Sequence, residues 1–69
     1  GKVHKIKQLS TGTIRALKII DKNHISLKKE DEKKLLNEIE ILSLLDHPNI
    51  IKVYEYFNTE ETLFIILEY

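Results

Sequence analysis

Two residues of opposite charge stand where apolar side chains are expected, and they are the strongest candidates for chemistry. On a helix, at about 100° per residue, four apolar side chains fall within about 60° of Glu38. They are Leu35, Ile41, Leu42 and Leu45. This stripe should face the core, so we expect the carboxylate of Glu38 to be buried. Because a buried carboxylate without a partner is unfavourable, Glu38 needs a cation from the element on which the helix packs.

Lys18 is the matching anomaly on a predicted strand. Residues 13–20 read TIRALKII, a run rich in residues that favour strands. On a strand, Lys18 shares one face with Ile14, Ala16 and Ile20, and it is the lone charge on that face. The sequence therefore predicts a buried or half-buried ion pair between Lys18 and Glu38.

Two simpler interpretations of these charges stay open. Lys34 lies four residues before Glu38 and is able to pair with it along the helix. Lys18 is long enough to extend its ammonium to solvent at the edge of the sheet. The pattern alone does not decide between these interpretations and the ion pair.

The composition limits the classes of protein to which the chain can belong. The 69 residues form one domain at most, and eleven basic and eleven acidic residues cancel, so binding to nucleic acid is not expected. No apolar run approaches the about 18 residues of a membrane span. The absence of cysteine excludes disulfides and fits a reducing compartment. The histidines His4, His24 and His47 lack the spacing of metal ligands, so we expect no metal site.

The predicted order of elements is strand, strand, helix, strand, strand. A turn-forming sequence around Gly12 joins the first two strands, and residues 21–27 are polar and typical of a loop. Pro48 ends the helix, and the charged run 28–34 is interpreted as its solvated first turns. Strands are predicted over residues 3–8, 13–20, 50–57 and 63–69, and the helix over residues 28–46.

Five segments, which follow one another along the chain in the order of the family's motifs, resemble motifs of the eukaryotic protein kinases. Residues 15–18 (RALK) resemble the V-A-I-K strand motif, and residues 37–42 (NEIEIL) resemble the helix that carries an ion-pairing Glu. Residues 45–51 (LDHPNII) are similar to the L-x-H-P-N-I-[IV] segment that follows that helix. Residues 64–69 (FIILEY) resemble the strand that enters the hinge, and residues 1–3 (GKV) the tail of the glycine-rich loop. Within the family, the sequence is most similar to the calcium-dependent and calcium/calmodulin-regulated Ser/Thr kinases.

The resemblance implies an α+β fold, namely a kinase N-lobe with a twisted antiparallel β-sheet and one packed helix. Residues 1–69 would be a partial kinase domain with four of the five N-lobe strands, without the first strand and the C-lobe. The parent protein would transfer the γ-phosphoryl group of ATP to protein Ser or Thr, with ATP and Mg²⁺ as cofactors. Because the catalytic base and the magnesium ligands are expected outside this chain, the 69 residues alone are predicted to be inactive.

The resemblance also implies roles for individual residues. Lys18 would hold the α- and β-phosphates of ATP, and Glu38 would orient Lys18. Leu67 aligns with the gatekeeper position, and the carbonyl of Glu68 would accept a hydrogen bond from the adenine amino group. Arg15 stands where the family usually has Val, but it lies on the opposite strand face from Lys18. The implied nucleotide-binding residues are Gly1, Val3, Ala16, Lys18, Leu67 and Glu68.

The partners implied by the resemblance are a protein substrate, the C-lobe of the same kinase, and a calcium sensor domain or calmodulin. The implied location is the cytoplasm. Two alternatives stay open. One is a pseudokinase that serves as a scaffold without phosphotransfer. The other is a non-enzymatic α+β interaction module. Phosphotransfer that depends on Lys18 and Glu38 would distinguish an active kinase from both alternatives.

Overall fold

The computed structural model describes residues 2–23 and 28–69, and within these ranges it contains four strands and one helix. This is the predicted α+β order of elements, and the strand bounds agree with the predicted ones to within about three residues. Gly1 and the part of the predicted loop at residues 24–27, with His24, lie outside the described residues. The elements are β1 (Lys2–Lys7), β2 (Ile14–Asp21), α1 (Lys29–Leu44), β3 (Val53–Asn58) and β4 (Thr62–Glu68).

The four strands form one antiparallel sheet in the order β1-β2-β4-β3. Two hairpins, β1–β2 and β3–β4, lie side by side, so β2 and β4 are the central strands. In their register Ala16 pairs with Leu67, and Lys18 pairs with Ile65. The strand that carries Lys18 is therefore held on both sides by hydrogen-bonded neighbours.

A tight turn closes the first hairpin around Gly12. The amide of Gly12 donates to the Gln8 carbonyl (2.7 Å), and the amide of Gln8 donates to the Thr13 carbonyl (2.8 Å). Gly12 has φ +74°, a conformation that residues with a Cβ adopt only at a cost. The glycine thus serves the purpose that the turn sequence indicates.

The core lies between α1 and one face of the sheet. Its fully buried centre consists of Ile39 from the helix and Val53, Leu63 and Ile65 from the sheet. Alternate residues of β4 point to this face, as expected for a strand with one covered side. The half-buried residues packed around the centre are Ile20, Leu35, Leu36, Leu42, Tyr56 and Leu67.

The rotation of α1 differs from the prediction. Glu38 is exposed, whereas the neighbouring Ile39 is only 4% exposed and points into the core. The predicted stripe left out Leu36 and Ile39; a stripe centred on Ile39 places Glu38 about 100° to one side. Ile41, which the prediction placed inside, is 58% exposed. The expectation that the Glu38 carboxylate is buried is therefore wrong, and this carboxylate needs no buried cation.

The helix also ends two residues earlier than predicted. Leu45 already has an extended backbone, with φ −84° and ψ 140°, and its amide donates to the Leu42 carbonyl (3.3 Å). The next residues form a turn in which the amide of Ile50 donates to the His47 carbonyl (3.1 Å). Because of this turn around Pro48, the strand that was predicted to begin at residue 50 begins only at Val53, the first residue of β3.

Paired alanine substitutions test the orientation of α1. We expect Ile39→Ala to lower the free energy of unfolding by about 2–4 kcal/mol, because it leaves a cavity in the core. Ile41→Ala makes the same chemical change on an exposed side of the same helix, so we expect a loss below about 1 kcal/mol. Urea unfolding of both variants gives the comparison, and equal losses would contradict this orientation.

A substitution at Gly12 tests the hairpin turn. Gly12→Ala should lower the free energy of unfolding by about 1–2 kcal/mol, because alanine is strained at this positive φ. The nearest heavy atom to an added Cβ would be the Lys7 Cε at 3.8 Å, so the loss reports backbone strain and not a clash. Gly12→Asn is the control with a smaller expected loss, and an alanine variant as stable as the parent would exclude the strained turn.

Candidate functional site

The strand register places most of the residues predicted to bind nucleotide on one face of the sheet. Val3 pairs with Lys18, and Ala16 pairs with Leu67. Directly paired residues of antiparallel strands have their side chains on the same face. The structure therefore brings Val3, Ala16, Lys18 and Leu67 together, on the side of the sheet that also faces α1.

These side chains differ in how far they are covered. Ala16 is buried and Leu67 is half-buried against the core, whereas Val3 is 63% exposed. Glu68 is exposed, and its amide already donates to the Lys52 carbonyl (2.9 Å). Gly1, the remaining predicted nucleotide-binding residue, lies outside the described residues.

Lys18 and Glu38 are both exposed, and within the described ranges they form no salt bridge with each other. Lys34 makes none with Glu38 either. The exposed ammonium of Lys18 agrees with the interpretation of a lysine that reaches solvent. The half-buried ion pair is thus not formed in this structure, and each of the two charges is free of a charged partner in the part of the chain that the structure describes.

The salt bridge that the described residues do contain joins Lys22 to Glu32. The Nζ of Lys22 lies 2.5 Å from Glu32 Oε1 and 2.5 Å from the Thr59 carbonyl oxygen. The side chains of Lys22 and Glu32 are 9% and 27% exposed. The interpretation of the whole charged run 28–34 as a solvated face is therefore wrong at Glu32.

Sequence reasoning missed this pair, although one signal pointed to it. Glu32 lies seven residues before Ile39, about two helical turns, and so shares its face of α1. Centring the apolar stripe on Ile39 would have placed a carboxylate on the buried side at Glu32 and not at Glu38.

A second unpredicted contact lies at the edge of the same sheet face. The ammonium of Lys5 sits 5.0 Å from the centre of the Tyr69 ring, within the range of a cation–π interaction. Lys5 pairs with Ala16, so this contact borders the group formed by Val3, Ala16 and Leu67.

Arg15 lies on the opposite face of the sheet, as predicted. Its guanidinium carbon is 3.9 Å from the centre of the Tyr54 ring, and the two side chains border a shallow depression of about 450 Å³. Ile6 and Ile66 also line it. Because this depression is on the far side from Lys18, it is separate from the predicted nucleotide side.

Two negative findings apply to residues 2–23 and 28–69. They contain no group of three or more His, Asp or Glu side chains placed to hold a metal ion. Their single helix, α1, is not long and apolar enough to cross a membrane.

Comparison with known proteins identifies the family. The protein kinase domain matches residues 1–69. The chain belongs to the protein kinase family. The four antiparallel strands and one helix of the described residues are consistent with the N-lobe of a kinase domain, as the resemblance implied.

Three curated kinases illustrate the similarity. The chain is 41% identical over 69 residues to Aurora kinase of Saccharomyces cerevisiae, covering 100% of this chain and 18% of that protein. It is 49% identical over 63 residues to serine/threonine-protein kinase ATG1a of Arabidopsis thaliana, covering 91% and 10%. It is 39% identical over 66 residues to calcium-dependent protein kinase 4 of Plasmodium berghei, covering 96% and 12%. The kinase chain thus spans less than a fifth of the length of these relatives.

Proposed function

We propose that the chain is the ATP-binding N-lobe of a kinase that transfers the γ-phosphoryl group of ATP to protein Ser or Thr. The observation that carries this proposal is the placement of Lys18 with Val3, Ala16 and Leu67 on one face of the sheet. The three relatives are named as kinases, and one of them is named as a serine/threonine-protein kinase, which supports the reaction class.

The chemistry of Lys18 fits a polyphosphate ligand. Its ammonium has three donors, and none donates a hydrogen bond to a partner within the described residues. These donors are therefore available to phosphate oxygens. The side chain projects from a strand with hydrogen-bonded neighbours on both sides, so its backbone is fixed before a ligand arrives.

Ala16 and Leu67 would form the apolar surface for the adenine ring. Ala16 has no side chain beyond Cβ, so it would obstruct a flat ring less than a larger residue, and the Leu67 with which it pairs would contact the same ring. Val3 is largely exposed and would gain contact on binding. The backbone carbonyl of Glu68 is the proposed acceptor for the adenine amino group.

Glu38 would orient Lys18 once α1 brings the carboxylate close enough. The exposed carboxylate forms no salt bridge among the described residues, so it remains available to the Lys18 ammonium. Pairing would fix the flexible stem of Lys18 and hold its charge where phosphate oxygens bind. When bound, Mg²⁺ would neutralise phosphate charge, and its ligands are expected from residues outside this chain.

Partners and regulation are finer proposals. A protein substrate and a C-lobe would complete the active site. The similarity to calcium-dependent protein kinase 4 of Plasmodium berghei supports a calcium sensor domain or calmodulin as a further partner. A cytoplasmic location completes the proposal and rests on the kinase resemblance.

Substitutions in the full-length protein test the proposed function. We expect Lys18→Met and Glu38→Gln each to lower phosphotransfer about 10²-fold or more. The first removes the cation that would hold the α- and β-phosphates, and the second removes the carboxylate that would orient this cation. Both side chains are exposed, so we expect urea unfolding to change little. The measurement is steady-state transfer of phosphate from labelled ATP to a protein substrate.

The chain offers matched controls for both variants. Lys34→Met and Glu40→Gln make the same chemical changes on exposed positions of α1, and Arg15→Val changes the opposite face of the sheet. We expect all three to keep phosphotransfer within about twofold of the parent protein. Unchanged turnover in Lys18→Met and Glu38→Gln would instead support a scaffold or an interaction module.

A further inference from the structure

Lys22 is the one buried charged residue in the part of the chain that the structure describes, and the proposed reaction does not use it. Its ammonium donates to Glu32 Oε1 and to the Thr59 carbonyl, and its amide donates to the Glu61 carbonyl (2.9 Å). We call these contacts the Lys22 cluster. They join three segments: the end of β2, the first turns of α1 and the turn between β3 and β4.

The main contribution of a buried ion pair to a fold is its geometry and not its net stabilisation. Removing two charges from water is costly, and well-packed apolar residues often stabilise a protein as much as such a pair does. What an apolar contact does not provide is direction, because it has no preferred bonding geometry. The Lys22 cluster, by contrast, fixes one carboxylate oxygen of α1 at hydrogen-bond distance from the sheet.

The Lys22 cluster connects the two elements that carry the proposed Lys18–Glu38 pair. Lys22 follows Lys18 by four residues, about 13 Å along an extended chain. Glu32 precedes Glu38 by six residues, about 9 Å along the helix axis. The backbone of α1 lies close to β3 and not to β2 within the described residues. The Lys22–Glu32 bond is thus a direct polar link from the end of β2 to α1.

The same contacts restrict how α1 can move. Glu32 and Ile39 lie about 20° apart around the helix, so both face the sheet. A rotation of α1 by about 100° would point Glu38 toward the sheet, but it would withdraw Ile39 from the core and Glu32 from Lys22. A swing of the later turns about the Lys22 cluster moves Glu38 while the bond to Glu32 is kept.

We propose that Lys22 is a positioning residue for the proposed kinase reaction. By holding Glu32, it fixes the first turns of α1 and makes the approach of Glu38 to Lys18 a swing about that point. The inference rests on the proposed function, since it acts through the Lys18–Glu38 pair. Without the Lys22–Glu32 bond, α1 samples more orientations, so forming the Lys18–Glu38 pair costs more conformational entropy. The pair is then populated less, and ATP is bound less tightly.

A double-mutant cycle in the full-length protein tests this role. We expect Lys22→Met to lower kcat/KM for ATP about tenfold when it is the only substitution. In the Glu38→Gln background, we expect Lys22→Met to add less than about twofold, because the pair on which it acts is already lost. Lys29→Met, at the exposed first position of α1, is the matched control and should change neither background. Equal losses in both backgrounds would overturn the positioning role.

A second variant separates the positioning role of Lys22 from a loss of folding. Lys22→Met alone leaves the half-buried Glu32 without its cation, so it is able to destabilise the domain. Lys22→Met combined with Glu32→Met replaces both charges, and we expect its unfolding temperature to stay close to that of the parent. The same tenfold loss of kcat/KM should persist in it. Parental kcat/KM in this folded variant would overturn the proposal.

Hydrogen exchange separates this inference from the proposed function. In the absence of nucleotide, the amides of residues 32–44 should exchange at least threefold faster in the doubly substituted variant than in the Lys29→Met control, because α1 is less restrained. Faster exchange with phosphotransfer insensitive to Lys18→Met would show that the proposed function is wrong although the restraint on α1 exists. Unchanged exchange with phosphotransfer sensitive to Lys18→Met would overturn the positioning role alone.

Discussion

Burial of Ile39 sets the rotation of α1 about its own axis, and the position of every charged side chain on the helix follows from it. Ile39 packs with Val53, Leu63 and Ile65. With Ile39 inward, Glu32 reaches the end of β2, and Glu38 points to solvent. Moving this contact by a single residue would turn the helix by about 100° and point a different set of side chains toward the sheet.

The sheet has a corresponding constraint in the register between β2 and β4. Leu63 and Ile65 are buried on the face toward α1, which fixes the side of the sheet to which β4 presents its alternate residues. A slip of one residue in the pairing would move the residues of β2 to the other face relative to their partners. Lys18 would then share a face with Phe64 and Ile66, away from α1. The proposed nucleotide side thus depends on apolar residues that would not contact a nucleotide.

The sequence predicted the strands better than the helix face, for a physical reason. On β2 one lysine interrupts an apolar face, so a period of two residues is readable over residues 13–20. On α1 and the residue after it, apolar side chains lie on nearly every side. They are Leu35, Leu36, Ile39, Ile41, Leu42, Leu44 and Leu45. Periodicity alone does not select one stripe among them, and packing on β3 makes the choice.

Helix periodicity could have placed Glu32 on the buried side, but its partner Lys22 could not be predicted from the sequence, for a different reason. The two partners of the Lys22 ammonium are ten and 37 residues away in sequence, and one of them is a backbone carbonyl that any residue type provides. The family resemblance gave no sign of the cluster either. The resemblance implied roles for residues that bind nucleotide or form the Lys18–Glu38 ion pair, and Lys22 belongs to neither group.

The relative size of the forces on α1 explains why Lys18 and Glu38 are apart. Keeping Ile39 buried contributes about 1.5–3 kcal/mol. An ion pair between two exposed side chains contributes about 0–1 kcal/mol, so it does not compensate for withdrawing Ile39 from the core. Pairing must therefore proceed by a movement that keeps Ile39 buried, or with the help of a further contact to α1. In the proposed kinase, the helix would respond to whatever supplies that contact, because the two arrangements differ by only a few kcal/mol.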